Sequence, residues 1–198
     1  MNKLHKQVEF LFEIDKLKGI LRQSVVLGDT NRRENDAEHS WHMAMCAIVL
    51  KEYVDIDNID MEKVIKMILI HDLVEIYSDD TPAFSDFSKE DKFNKELIAG
   101  EKIFGMLPEE QGKEFFDIWL EFEKMETNNS KFANVFDRFQ GFMQNLTSDG
   151  HTWKKWNVHE SMVVKRLEPI LKYGPKLYSE IVRPAIDEYM KKGIIHKD

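Results

Sequence analysis

The stretch that most constrains this fold is MILIHDLVE, residues 67–75, because it places His71, Asp72 and Glu75 within an otherwise apolar run. Apolar residues with helical spacing lead into it from about Asp60, so we expect the polar trio on the core-facing stripe of one helix. An unpaired ionised carboxylate in apolar surroundings costs several kcal/mol or shifts its pKa upward. The fold must therefore supply a partner for Asp72.

Helical periodicity continues through almost all of the 198 residues, whereas alternating strand-like runs are scarce. We predict an all-α, single-domain helical bundle that spans residues 1–198. Asn35 and Glu38 have the spacing of a capping pair, which places His39 in the first turns of a helix that ends near Tyr53. The other helices are expected at about 6–26, 60–75, 89–106, 108–125, 130–146, 158–173 and 175–192, with loops at 29–34 and 78–88.

Composition excludes several classes of protein. The formal net charge of −8 argues against a general nucleic-acid binder, which needs a basic surface. Cys46 is the only cysteine, so it forms no intrachain disulfide and fits a reducing cytoplasm. The chain contains neither a secretory signal pattern nor an apolar stretch of the roughly 20 residues that a membrane span requires. We therefore expect a soluble cytoplasmic protein with neither a membrane nor a nucleic acid as its partner.

A divalent metal ion would compensate Asp72. His39, His71, Asp72 and Asp137 supply two imidazoles and two carboxylates, and two aspartates neutralise a divalent charge. On its predicted helix, Asp137 lies among small residues on a strip next to a bulky apolar stripe. The small residues let the helix approach a neighbouring helix, so we expect Asp137 to point inward. Taken singly, each residue has an ordinary alternative: a partly exposed His39, a solvated Asp137, or a buried hydrogen-bonded pair of His71 with Asp72.

Three stretches, ENDAEHSWHMAM, ILIHDLVEIYSDDTP and FANVFDRFQ, together resemble the HD-domain metal-dependent phosphohydrolases, especially the branch of bacterial 5′-deoxynucleotidases and their eukaryotic relatives. The resemblance covers about residues 16–144, and its motif residues follow one another in the order H…HD…D. It implies a helical bundle in which His39, His71, Asp72 and Asp137 bind the metal. The chain has no histidine between Glu75 and Arg138, which favours one ion over two. The ligand set suits manganese, cobalt, iron, nickel or zinc.

The same resemblance implies roles for residues outside the ligand set. Glu75 matches a catalytic carboxylate near the attacking water, and Asp80 matches a second catalytic acid. Arg22 matches an arginine that binds the substrate phosphate, although the residue after it departs from the branch's pattern. Arg32 and Arg33 are therefore rival phosphate-binding residues. The ordinary alternatives are a solvated charge for Glu75, a turn residue for Asp80 and a surface position for each arginine.

The predicted reaction is hydrolysis of a phosphate monoester, specifically a (deoxy)nucleoside 5′-monophosphate, to nucleoside and phosphate. The partner is thus a small-molecule phosphate ester, and related proteins imply a homodimer. Three alternatives stay open: an HD-type hydrolase of nucleoside triphosphates or alarmones, a noncatalytic helical interaction protein, and a metal- or nucleotide-binding regulatory module. The segment from His151 to Asp198 is assigned no chemical role.

Overall fold

The computed structural model describes residues 2–78 and 89–198. Helix α1 (Lys3–Ile14) and a 3₁₀ turn (Asp15–Gly19) lead into an antiparallel hairpin of β1 (Leu21–Val26) and β2 (Asp29–Asn35). The helices that follow are α2 (Asp36–Val49), α3 (Met61–Ile70), α4 (Glu75–Ser78), α5 (Lys89–Phe104), α6 (Glu109–Lys124), α7 (Asn128–Thr147), α8 (His151–Trp156), α9 (Glu160–Arg166), α10 (Glu168–Tyr173), α11 (Pro175–Leu177) and α12 (Arg183–Lys191). A 3₁₀ turn (Lys51–Tyr53) follows α2, and a π turn (Tyr178–Val182) separates α11 from α12. The predicted helical fold is confirmed.

The hairpin corrects the predicted first helix and the loop after it. Residues 21–26 are a strand, and the polar segment 29–35 is its partner, with Val25 opposite Arg33. Val25 and Val26 are β-branched and favour a strand, and Gly28 adopts φ +84° at the turn. The Arg33 side chain also donates hydrogen bonds to backbone carbonyls of β1, which ties the two strands together.

Helix α2 begins where the sequence predicts. The Asn35 side chain accepts a hydrogen bond from the backbone N–H of Glu38 at 3.0 Å, and the Glu38 carboxylate accepts one from the N–H of Asn35 at 3.1 Å. This reciprocal capping box satisfies two donors that a helix start would otherwise leave unbonded. It fixes the first turn of α2, which carries His39 into the core.

Helix α3 is shorter than predicted. Asp60 caps its start, but regular α-helix ends at Ile70, before the polar trio. The chain then turns tightly: the N–H of Leu73 donates to the carbonyl of Ile70, and the N–H of Glu75 donates to that of Asp72. These i→i+3 bonds wind the backbone more tightly than an α-helix does. The prediction of one continuous helix through Glu75 was therefore wrong.

Prolines account for two further corrections near the C-terminus. The predicted helix 158–173 divides into α9 and α10, and Pro169 occupies the first turn of α10. The predicted helix 175–192 contains the π turn just before Pro184, which opens α12. Proline lacks an N–H and cannot continue a regular α-helical bonding pattern from the preceding turn. Helix α8 was not predicted.

Helix α7 organises the core because it packs against α2, α3, α6 and α10. Its bulky stripe, with Phe132, Phe136 and Phe139, is buried as expected. Asp137 is buried on the same helix, so the arrangement carries its carboxylate toward neighbouring helices. Among the described residues, no helix combines the length and apolar character needed to cross a bilayer.

Candidate metal centre

Four predicted ligand side chains meet in the interior. His39 comes from α2, His71 and Asp72 from the turn after α3, and Asp137 from α7, and all four are buried. The Nε2 atom of His39 lies 3.2 Å from Asp137 Oδ1 and 3.9 Å from Asp72 Oδ2. The Nε2 atom of His71 lies 3.1 Å from the same Asp72 oxygen. Three separated segments thus bring two imidazoles and two carboxylates together.

Hydrogen bonds on the far sides of the rings orient both histidines. His71 Nδ1 lies 2.7 Å from the carbonyl oxygen of Ile68, and His39 Nδ1 lies 2.6 Å from Oε1 of Gln140. Because oxygen acceptors face both Nδ1 atoms, each Nδ1 carries the hydrogen, and a neutral ring then has its lone pair on Nε2. Both Nε2 atoms are buried and lack a hydrogen-bond partner among the described residues.

This geometry fits a divalent cation. Nitrogen lone pairs and carboxylate oxygens repel one another at these distances unless positive charge lies between them. The demand for positive charge is visible at His71. Burial alone would lower the pKa of its ring, but the charges of Asp72 and Asp137 raise it to about 9. His39, His71 and Asp72 can all point a ligand atom at one ion, with those atoms within 4.8 Å of one another, and Asp137 adjoins His39.

Arginines flank both acids of the cluster. Arg22 Nη1 donates to Asp72 at 2.8 Å, and Arg138 Nη1 donates to Asp137 at 2.5 Å. Burial opposes ionisation of both carboxyls. The charges of His71 and Arg22 nevertheless hold the pKa of Asp72 below its ordinary value, and Arg138 and His39 do the same for the pKa of Asp137. Both carboxylates are thus maintained in the form that can bind a metal.

Asp36 is a site residue that the sequence analysis missed. It is fully buried, and its Oδ1 accepts a hydrogen bond at 3.0 Å from the same Nη1 of Arg22 that contacts Asp72. Burial and the charge of Asp72 raise the pKa of Asp36 to about 6, against the opposing charge of Arg22. The sequence did contain a signal for this residue, because Asp36 precedes His39 by three residues and therefore shares its helix face.

Glu75 and Asp80 were predicted as catalytic acids. Glu75 opens α4, is buried, and shares a side-chain hydrogen bond with Asp36. The alternative of a solvated helix-end charge does not describe it. Asp80 lies outside the described residues.

The three predicted phosphate-binding arginines occupy different surroundings. Arg22 contacts the candidate ligand Asp72. Arg32 lies at the surface, where it pairs with Glu38 at 2.8 Å. Arg33 bonds to the backbone carbonyls of Leu21 and Arg22. Of the three, Arg22 is the one whose side chain the structure brings to the ligand cluster.

Comparison with known proteins identifies the family. The model of the HD domain matches residues 14–177. The chain belongs to the HD domain family. Its curated relatives include 5′-deoxynucleotidase HDDC2 of Dictyostelium discoideum, 36% identical over 69% of this chain and 74% of the relative. The Homo sapiens protein of the same name is 28% identical over 69% of this chain and just under two thirds, 65%, of its own length.

Solved structures agree with this HD domain assignment. The predicted metal-dependent phosphohydrolase of Magnetospirillum magnetotacticum superposes with a TM-score of 0.88 at 40% identity, covering 98% of this chain and 95% of that one. A conserved hypothetical protein from Pyrococcus furiosus, 23% identical with a TM-score of 0.57, covers 83% of this chain and 97% of that one, and shows the shared fold alone. The resemblance to HD-domain phosphohydrolases inferred from the sequence is confirmed.

A second buried polar group adjoins the candidate ligands and was also missed. Glu34 is buried and accepts hydrogen bonds from Gln140 at 2.6 Å, Gln144 at 2.8 Å and Ser24 at 2.7 Å. Gln140 in turn contacts His39. The available signal was the spacing of Gln140, three residues after Asp137 on the same helix face.

A third polar group lies on α5 and α6. Lys92 Nζ pairs with the buried Glu96 at 3.3 Å. Burial and the charge of Glu96 raise the pKa of Glu123 to about 7, against the charges of Lys92 and His71. Burial opposes the charged form of Lys92, but the charges of Glu96 and then Glu75 raise its pKa. These residues therefore belong to the electrostatic surroundings of the HD-domain site.

Proposed function

We propose that this HD-domain chain is a metal-dependent phosphomonoesterase that hydrolyses (deoxy)nucleoside 5′-monophosphates to nucleoside and phosphate. The observation that carries the proposal is the pair of buried Nε2 atoms, on His39 and His71, that face two carboxylates. The relatives support the reaction class, since those named 5′-deoxynucleotidase match about 70% of the chain. The related metal-dependent phosphohydrolase supports a metal requirement.

We assign His39, His71, Asp72 and Asp137 as ligands of one divalent cation: manganese, cobalt, iron, nickel or zinc. When bound, the cation supplies positive charge that stabilises the transition state and lowers the pKa of a coordinated water. The four side chains are well suited to hold it. They come from three packed segments, and the Nδ1 hydrogen bonds of both rings limit their rotation.

Glu75 is proposed to accept the proton of the attacking water. It begins α4 three residues after Asp72, is buried, and shares a side-chain hydrogen bond with Asp36, which is joined to Asp72 through Arg22. The water oxygen forms a bond to phosphorus while the bond from phosphorus to the 5′ oxygen breaks. We propose that Asp80 donates a proton to that leaving oxygen. Each acid–base step of this kind contributes on the order of 10²-fold or more.

Arg22 is proposed to bind the substrate phosphate. Its guanidinium stays charged and presents a planar fork of donors that matches phosphate oxygens. Asp36 and Asp72 both accept from Nη1, so the group is oriented before substrate arrives. The contacts of Arg32 and Arg33 favour them less, because those side chains are engaged by Glu38 and by backbone carbonyls.

The test is a screen for phosphate release from deoxynucleoside and ribonucleoside 5′-monophosphates with each divalent metal, using wild type and Glu75→Gln. We expect Glu75→Gln to retain the metal and lose on the order of 10²-fold in kcat. Glu52→Gln, at an exposed glutamate, is the matched control and should retain full activity. Release of triphosphate or pyrophosphate from other nucleotides, in place of phosphate, would identify a different HD hydrolase. Metal binding without any turnover would identify a binding module.

A further inference from the structure

The two histidines of the centre have their tautomers determined in different ways. His71 Nδ1 faces a backbone carbonyl, that of Ile68, which can only accept a hydrogen bond. His39 Nδ1 faces the side-chain amide of Gln140, which could present either its oxygen or its NH₂ group. The tautomer of His39 therefore depends on what orients that amide.

Glu34 orients it. Gln140 Nε2 lies 2.6 Å from Oε1 of Glu34, and both side chains are buried. A carboxylate only accepts hydrogen bonds, so the NH₂ group of Gln140 must face Glu34 and its oxygen must face His39. Gln144 and Ser24 also donate to Glu34, at 2.8 and 2.7 Å, and hold the carboxylate in place. The chain of contacts thus leaves Nδ1 of His39 as the donor.

The competing tautomer is well placed to form. With its hydrogen on Nε2, His39 would donate to Asp137 Oδ1, 3.2 Å away, and would then have no lone pair directed at the cluster. We propose that Gln140, oriented by Glu34, is the positioning residue that selects the metal-binding tautomer of His39. This inference rests on the cation-binding part of the proposed function and assigns it two residues beyond the ligands.

The experiment compares Gln140→Met with Gln144→Met. Gln144 shares the Oε1 atom of Glu34 with Gln140, and Ser24 still holds Oε2 when Gln144 is replaced, so Gln144→Met leaves the contact between Glu34 and Gln140 in place and is the matched control. Nitrogen-15 spectra of the imidazole groups, recorded on metal-free protein at a pH where the rings are neutral, report the tautomer directly. We expect His39 to carry its hydrogen on Nδ1 in wild type and Gln144→Met, and on Nε2 in Gln140→Met. His71 should keep its Nδ1 hydrogen throughout.

Calorimetric titration with Zn²⁺ gives a second readout. Loss of an outer hydrogen-bond partner of a ligating histidine typically weakens metal binding 10–100-fold, so Gln140→Met should bind Zn²⁺ on the order of 10–100-fold more weakly than Gln144→Met. In the double variant Glu34→Gln with Gln140→Glu, the carboxylate at position 140 accepts a hydrogen bond from His39, and the amide at position 34 donates one to that carboxylate. The double variant should restore both the Nδ1 tautomer and most of the Zn²⁺ affinity, which also guards against a Gln140→Met protein that fails to fold.

Two results would overturn the inference. One is a Gln140→Met protein whose His39 retains the Nδ1 hydrogen and whose Zn²⁺ affinity equals that of Gln144→Met. The other is a double variant that folds, as judged by circular dichroism, yet leaves His39 with its hydrogen on Nε2. Failure of wild type to bind any divalent cation would instead count against the proposed function, because the metal-free spectra still report the tautomer.

Discussion

Two polar clusters adjoin each other where Gln140 contacts His39, and they differ in how their polar atoms are paired. The Glu34 cluster consists of Ser24, Glu34, Gln140 and Gln144, and the ligand cluster consists of His39, His71, Asp72 and Asp137. In the Glu34 cluster, donors meet a carboxylate at 2.6 to 2.8 Å. In the ligand cluster, two buried Nε2 atoms without a hydrogen-bond partner among the described residues face carboxylate oxygens. Buried polar groups are nearly always paired, so two unpartnered Nε2 atoms that face two carboxylates fit a cation between them.

The strongest way to break this comparison is to remove an acid from the ligand cluster. Asp137→Asn takes away one of the two charges that offset the cation, while preserving the shape of the side chain. Metal activation is worth several kcal/mol, so we expect phosphate release to fall on the order of 10³-fold or more, together with loss of bound metal. Metal content and kcat should be measured in parallel. Asp117→Asn, on the exposed face of α6, is the control, and normal metal content in Asp137→Asn would contradict the ligand assignment.

The need for positive charge also predicts a pH dependence of the metal-free protein. The pKa of His71 rises from an ordinary 6.5 to about 9 in the folded state, so the folded state binds this proton more tightly than the unfolded state does. The resulting stability, about 3 kcal/mol, is fully present below pH 6.5 and is lost as pH rises through about 9. Urea unfolding of metal-free protein between pH 7 and 9 measures the slope. His71→Gln lacks the titrating ring and should abolish most of it; an unchanged slope in that variant would refute this origin.

The Glu34 cluster should respond in stability because it is already complete. Glu34→Ala leaves the buried donor of Gln140 and the half-buried donor of Gln144 without their acceptor, which costs about 1–3 kcal/mol. Urea unfolding at one pH, with Glu52→Ala as the exposed counterpart, gives the difference. Equal stability of the two variants would show that the cluster contributes nothing, and the contrast with the ligand cluster would disappear.

The smallest expected effect concerns the start of α2, the helix that carries His39. Asn35→Ala removes the side-chain acceptor of the α2 capping box and should lower the free energy of unfolding by about 1 kcal/mol. Metal affinity should stay close to wild type, because His39 is also held by Gln140. Thermal unfolding and Zn²⁺ titration measure the two quantities separately. A large loss of affinity would mean that the cap, rather than the side-chain contacts, positions His39.

Sequence reasoning succeeded where a residue's environment is local. Asn35 caps α2 as predicted, and α3 begins beside Asp60 as expected, because a capping side chain bonds to a backbone only three residues away. It failed at residues 21–35, where a helix and a loop were expected and a hairpin is found. Strand pairing depends on a partner segment, so the apolar spacing of one segment alone misleads. The end of α3 at Ile70 failed for a similar reason, since tertiary packing decides between α-helical and tighter turns.

By itself, the sequence determined that Asp72, beside His71, needs a compensating positive charge. An ionised carboxylate within an apolar run is unfavourable in free energy whatever the tertiary structure. It also placed Asp137 on the inward face of a helix. Only the tertiary structure decided which atoms meet: the shared Nη1 of Arg22, and the amide of Gln140 held by Glu34. The physical reason is the separation along the chain between the residues that interact. Burial is encoded in local periodicity, whereas the direction of a hydrogen bond depends on side chains that are distant in the chain, such as Glu34 and Gln140, 106 positions apart.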